Sequence, residues 1–293
     1  MIYFKKMHPI VLLEFFLSIL FLTMLTSNPL FLVISFVCAL SVNALYQKPK
    51  TFWMNCLIMV ILIMIITITN PLFNSSGETI LFKIGNIPFA KESLLKGMSV
   101  GVMLGAIICW FNVFNEVMTT DKMYFLFGKF APTITLILSM GFRFIPLMIQ
   151  QMKKIEEGQK GLGLFNQTSF LKKVKHYLRI FSILVTWSLE NALDTANAMK
   201  SRGFGLKPRT TFSAFSFRRN DLFSMIFILF VFLVISTGEF LNIYSFSFYP
   251  SMSTLTFGLN ELLGYSAFLS LGLFPLFMAG KEAIIWHYWM LKI

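Results

Sequence analysis

The sequence predicts an all-α, polytopic membrane protein, with about six transmembrane helices and two long cytoplasmic helices. Three observations lead there. Residues of the AVILMFWYC set make up 56% of the 293 residues and charged residues only 13%, against about 25% charged in an ordinary soluble domain. The apolar residues are gathered into runs close to the ~20 residues a helix needs to cross hydrocarbon. The few charges are one-sided, 25 Lys and Arg against 13 Asp and Glu, a formal +12. With a mean hydropathy of +0.73, these numbers exclude a soluble enzyme of this size and a disordered chain.

The runs, in order, are Ile10–Thr26 (carrying Glu14), Pro29–Tyr46, Phe52–Thr69, Leu94–Phe114 (carrying Lys96), Leu222–Gly238 and Leu262–Gly280. Ser27-Asn28-Pro29 and Gln47-Lys48-Pro49-Lys50 read as the turns between the first three, because proline and small polar residues interrupt helices. Lys5-Lys6 before an apolar run looks like the start of a signal peptide. No small-x-small cleavage site follows, so a retained first span is expected. This divides the chain into residues 1–115 (transmembrane helices 1–4), 116–221 (a cytoplasmic region of two long helices) and 222–293 (transmembrane helices 5–6).

Charge sets the expected orientation. With both termini cytoplasmic, 22 of the 25 basic residues lie inside, and only Lys83 and Lys91 fall in an exterior loop, as the positive-inside rule requires. Residues 116–221 hold 16 basic and 7 acidic residues, net +9. The segment Phe130–Phe142 carries one charge-free stretch long enough to be a further membrane-embedded piece.

Two long helices are expected in that region, about Pro132 to Lys160, with Pro146 inside, and about Phe170 to Ser201. Each would be on the order of 40 Å long. Phe165-Asn166-Gln167-Thr168 reads as the turn between them, with Thr168 or Ser169 as the cap. Glu190, Asp194, Asn197 and Ser201 share one face of the second helix, either a solvated face or a docking face. The helix ends resemble each other: Gly158-Gln159-Lys160-Gly161-Leu162-Gly163 aligns with Ala198-Met199-Lys200-Ser201-Arg202-Gly203. A glycine stop allows a left-handed C-terminal residue. An Arg just before it suits the helix dipole and projects a rigid fork of donors. One such end reads as an ordinary cap with a dipole-complementing Arg, and two on long basic helices read as tips that grip an acidic groove of another protein.

The remaining chemistry-bearing residues point away from catalysis. Cys38, Cys56 and Cys109 lie inside spans and read as small buried residues. His8, His176 and His287 are far apart, with no ligand at metal spacing. Gly161-Leu162-Gly163 lacks the Gly-Lys-Ser/Thr that a phosphate-cradling loop needs. No catalytic residues, no cofactor and no metal site are expected. Glu14 and Lys96 alone are charged within spans, too few for a mid-membrane ion pathway. Gly97, Gly101 and Gly105 form a small-residue stripe that lets helices approach closely in lipid. It serves either another span of this chain or the surface of a partner.

On these residues the chain resembles the transmembrane T component of energy-coupling factor (ECF) transporters, the EcfT/CbiQ family. The matching pieces are His8-Pro9, Gly141-Phe142-Arg143-Phe144-Ile145-Pro146-Leu147, and Glu190 through Arg209-Thr210 around Ser201-Arg202-Gly203. The family carries two Ala-Arg-Gly-like signatures. The second is matched with Ser for Ala, and the first departs, with Leu162 where Arg is usual. The resemblance implies a non-catalytic subunit that joins two ABC-type ATPases to a substrate-binding S component for uptake of a vitamin or metal ion, in the bacterial cell membrane. It implies that the two long helices of the 116–221 coupling-helix region are coupling helices whose ends, residues 158–163 and 198–203, contact the ATPases, and the helix-end geometry then puts Arg202 in an acidic groove of one of them. Leu162 would then dock through apolar packing with Lys160. At the helix crossing, near Pro146, Arg143 or a nearby cation is expected to pair with Glu190. The alternative is a membrane scaffold whose basic helices bind anionic lipid. No nucleic-acid partner is expected.

Overall fold

The computed structural model describes residues 3–73, 79–84, 87–163, 170–206, 215–249, 252–253 and 258–290. The expected turn at 165–168, its caps Thr168 and Ser169, and Arg209-Thr210 lie outside the described residues. The helices are α1 (Tyr3–Lys6), α2 (Pro9–Leu25), α3 (Pro29–Tyr46), α4 (Pro49–Phe73), α5 (Lys91–Val117), α6 (Thr120–Phe130), α7 (Pro132–Gly161), α8 (Phe170–Ser201), α9 (Arg219–Phe240) and α10 (Leu259–Met290). An antiparallel hairpin, β1 (Ile80–Ile84) and β2 (Ile87–Ala90), joins α4 to α5. Among the described residues the fold is all-α apart from this hairpin, and the chain divides into two compact units, Met1–Met123 with Phe215–Ile293, and Tyr124–Ala214.

Six described helices are long and apolar enough to cross a membrane: α3, α4, α5, α7, α9 and the Leu259–Lys281 part of α10. This set differs from the sequence reading at two places. At 17 residues α2 is a shorter apolar helix, at the lower limit for a span. Phe130–Phe142 is not a piece of its own, because the chain breaks at Ala131 and residues 132–142 open the continuous α7.

In the first unit, side chains close the helix starts. The His8 imidazole accepts the Ile10 N–H at 3.3 Å, and the His8 N–H donates to Asp221 at 3.5 Å. Asp221 also accepts the Arg218 N–H at 3.0 Å, so one carboxylate serves the N-terminal ends of both α2 and α9. Asn28 accepts the Leu30 N–H at 3.0 Å to cap α3, and its amide donates to the Tyr265 hydroxyl at 3.0 Å on α10. Each contact satisfies backbone or side-chain groups that a helix end leaves open.

The glycine stripe is used within the chain. A Cβ on Gly97 would stand 2.8 Å from the Asn70 Cβ, one on Gly101 would stand 3.1 Å from the Ile63 Cα, and one on Gly105 would stand 3.1 Å from the Phe36 ring. The stripe therefore seats α5 against α4 and α3, and it is not open to another protein. Beside it runs a buried polar chain. The Trp110 indole donates to the Ser35 hydroxyl at 3.2 Å, Ser35 and Thr23 share a hydrogen bond at 2.9 Å, and the Asn43 amide donates to the Cys109 carbonyl at 2.8 Å. Phe4, Phe15, Phe16 and Trp110 pack edge to face around it. Cys38 and Cys109 are buried and unoxidised, and Cys38 lies directly under Gly272.

Basic residues meet at one end of this unit. Lys5 pairs with Glu116 at 2.7 Å and stands over the Tyr46 ring. Just past the end of α5, buried Lys122 donates to the carbonyls of Lys5 and Val117, at the C-terminal ends of α1 and α5, where a helix dipole favours a cation. Burial, with Lys5 beside it as the second cause, still lowers the Lys122 pKa from the usual 10.5 to about 8. The folded chain therefore binds fewer protons than the unfolded chain between about pH 8 and 10.5, and stability rises with pH across that window.

Two measurements test this packing. Gly101→Leu is expected to push α4 from α5 and cost about 1–3 kcal/mol, read as a lower melting temperature in detergent. The wild-type melting temperature should rise between pH 7.5 and 9.5, and Lys122→Met should flatten that rise.

Candidate functional site

The second unit is built on α7 and α8, both amphipathic. Among the described residues of α7 none is buried. Their C-terminal ends share one backbone frame. At the end of α8 the Gly203 N–H donates to the Lys200 carbonyl at 3.0 Å and the Phe204 N–H to the Met199 carbonyl at 3.0 Å. Gly203 has φ +80°. These two bonds and a left-handed glycine define a Schellman stop. At the end of α7 the Gly163 N–H donates to the Lys160 carbonyl at 3.0 Å, and Gly163 has φ +68°. Leu162 and Arg202 thus occupy the same position, the last residue before the left-handed glycine. Leu162 is 74% exposed, and Arg202 is exposed as well. Lys160 pairs with Glu156 one turn back at 2.9 Å. Gly158 and Gly161 have open space where a Cβ would stand. Ala198, Lys200 and Ser201 are exposed, while Gln159 and Met199 are half-buried.

The helices meet at a pair that the sequence reading did not single out. The Phe144 ring stacks on the Trp187 indole, with centroids 5.7 Å apart and planes 8° from parallel. On one side of this stack lies a cavity of about 410 Å³ lined by Met152 and the Tyr177–Leu184 stretch of α8. On the other side lies a cleft of about 620 Å³ lined by Arg143, Leu147, Asn191, Thr195, Met199 and Arg202, among others. The two tips therefore lie on opposite sides of the crossing. The expected Arg143–Glu190 pair is absent. Both side chains are exposed, and Arg143 lines the cleft beside Asn191 while Glu190 does not. One residue is a 100° rotation on a helix, and that rotation carries Glu190 to the outer face with Asp194, Asn197 and Ser201, all exposed. Pro146 lies within α7 and is exposed. Among the described residues, no three His, Cys, Asp or Glu side chains gather where they could hold a metal ion.

Comparison with known proteins gives the family. The CbiQ family, described as cobalt transport protein, matches residues 5–213, from α1 through both helix tips. The chain belongs to the CbiQ family. The EcfT protein of Lactobacillus helveticus, an energy-coupling factor transporter transmembrane protein, is 25% identical over 215 residues, covering 69% of this chain and 77% of that one. The protein of the same name from Bacillus selenitireducens is 25% identical over 200 residues (64% and 74%), and that of Leuconostoc gelidum is 28% identical over 187 residues (60% and 69%). This CbiQ-family chain is thus a multi-pass membrane protein and a transmembrane transporter component. The family match ends before α9, and the Ser-Arg-Gly tip lies inside it.

Sequence reasoning located both tips from the Lys and Gly spacing. It missed Trp187, whose partner lies 43 positions away, and it missed α6 and the hairpin, which are too short and mixed to show a period. Gly203→Val forces a β-branched residue into a left-handed conformation, at about 1–2 kcal/mol. Faster hydrogen exchange at the Gly203 and Phe204 amides is expected in that variant, while Gly158→Ala, with open space around its Cβ, leaves them unchanged.

Proposed function

We propose that this chain is the coupling subunit of an ECF-type importer, and that the tips of α7 and α8 engage two ABC-type ATPases. The observation that carries the reading is the shared helix-end frame, which presents one side chain from each of two long helices on opposite sides of a single crossing. Arg202 projects a planar fork of donors from a rigid helix end, and it enters an acidic groove on one ATPase. Leu162 presents an apolar tip to the other, with Lys160 beside it. The unequal tips favour two different ATPase domains.

The tips lie roughly 22–27 Å along their helices from the Phe144–Trp187 contact. Closure of the ATPases on ATP would drive the tips together and pivot the helices about that stack. A separate S component, which binds a vitamin or metal ion, would be turned by that motion. The chain itself does no bond chemistry in this scheme. Both termini and the tips of α7 and α8 are cytoplasmic, and the distribution of basic residues supports that orientation.

Purification of the complex with its ATPases tests the reading. Arg202→Glu is expected to abolish substrate uptake and to reduce ATPase recovery at least tenfold, while Lys160→Glu reduces it less. Equal losses from the two reversals would contradict the unequal-tip scheme. Normal uptake by Arg202→Glu would overturn the coupling role, and a wild-type chain that brings down lipid and no ATPase would favour a lipid-binding scaffold.

A further inference from the structure

A buried lysine without a carboxylate partner stands at the base of α6. Lys122 is 5% exposed, and among the described residues no Asp or Glu forms a salt bridge with it. Its ammonium donates to the Lys5 carbonyl at 2.5 Å and to the Val117 carbonyl at 2.8 Å. One bond reaches the end of α1 and the other the end of α5, and Lys5 is itself tied to Glu116 on α5 at 2.7 Å. The first turn of α6 is thereby joined to two other helix ends through one nitrogen. An apolar side chain of similar size would fill this space without the cost of burying a charge. What the ammonium adds is a pair of directed, charge-assisted bonds, and these fix the direction in which α6 leaves α5.

That direction acquires its meaning from where α6 leads. Among the described residues α6 is the one helix that crosses the boundary between the two units, which falls between Met123 and Tyr124. Lys122 is the one buried residue among those described in α6. Past the boundary α6 lies on α7. The Tyr124 ring meets the Phe142 ring with centroids 5.8 Å apart, and a Cβ on Gly128 would stand 3.5 Å from the Thr135 side chain. The described path along the chain from α7 to the first unit therefore runs through α6 and its base. A movement of α7 travels along that path only if the base is held, because a loose first turn would take up the rotation itself.

We propose that Lys122 is a positioning residue for coupling, which pins the base of α6 so that movement of α7 is passed to the first unit and is not absorbed at the joint. The inference rests on the coupling reading above and adds the residue that carries the movement onward. Lys122 touches neither ATPase nor substrate in this scheme.

The test uses the complete complex in vesicles and reads two quantities, ATP hydrolysed and substrate imported. Lys122→Met keeps the length of the side chain and removes its charge. It is expected to lower the substrate imported per ATP about fivefold, while ATPase recovery and the rate of ATP hydrolysis stay near those of the wild type. Tyr124→Ala loosens the other end of α6, at its contact with α7, and should lower the same ratio, so the result does not depend on one variant folding. Gly101→Leu weakens the first unit elsewhere and should lower the melting temperature with the ratio unchanged. An undiminished ratio in either α6 variant would overturn the proposal. An equal fall in Gly101→Leu would also overturn it, because the effect would then be one of general stability. In both cases ATP-driven uptake by the wild type leaves the coupling reading standing, whereas a wild-type complex that hydrolyses ATP without any uptake would overturn that reading itself.

Discussion

The close approach of α5 to α4 and α3 along Gly97, Gly101 and Gly105 is the contact on which the first unit depends. Lipid tails are as apolar as leucine, so burying leucines against each other inside a bilayer gains little. Association must come from dense packing and from polar groups that find partners. The glycines provide the first by letting backbones meet. Ser35, Thr23, Asn43 and the Trp110 indole provide the second, in a buried chain that links α2, α3 and α5. Facing lipid, α4 can then stay apolar and exposed, as Trp53 at 72% exposure illustrates.

The ends of the first unit follow from the same constraint. A backbone group left open near hydrocarbon costs several kcal/mol, and His8, Asn28 and Asp221 close the starts of α2, α3 and α9. Lys122 does so at the opposite polarity, donating to two helix C-termini. Burial, with Lys5 as the second cause, holds its pKa below the usual 10.5. The second unit relies on different forces. Its helices are amphipathic, hold each other through an aromatic stack, and stop in left-handed glycines that leave Leu162 and Arg202 outermost.

The sequence was legible where one residue type dominates a long stretch. Apolar runs marked α3, α4, α5, α9 and α10 because hydrocarbon admits little else. Proline and glycine marked the ends of α7 and α8 because few residues adopt those backbone angles. Legibility failed where a rotation of one residue decides the outcome. Glu190 and Asn191 are adjacent in sequence, yet only Asn191 lines the cleft with Arg143. The strands Ile80–Ile84 and Ile87–Ala90 were read as loop, because nine residues beside a span carry too few alternations to show a period.

By itself the sequence determined that the chain enters a membrane, that its positive charge concentrates in residues 116–221, and that two long helices end in matching glycine stops. Composition and local backbone preference suffice for these, since each depends on residues close together along the chain. Tertiary structure alone decided that the glycine stripe is used internally, that Phe144 meets Trp187, and that Arg143 shares a cleft with Arg202 and forms no pair with Glu190. Those outcomes depend on the rotation and crossing of packed helices, which side-chain shape fixes only after distant segments meet.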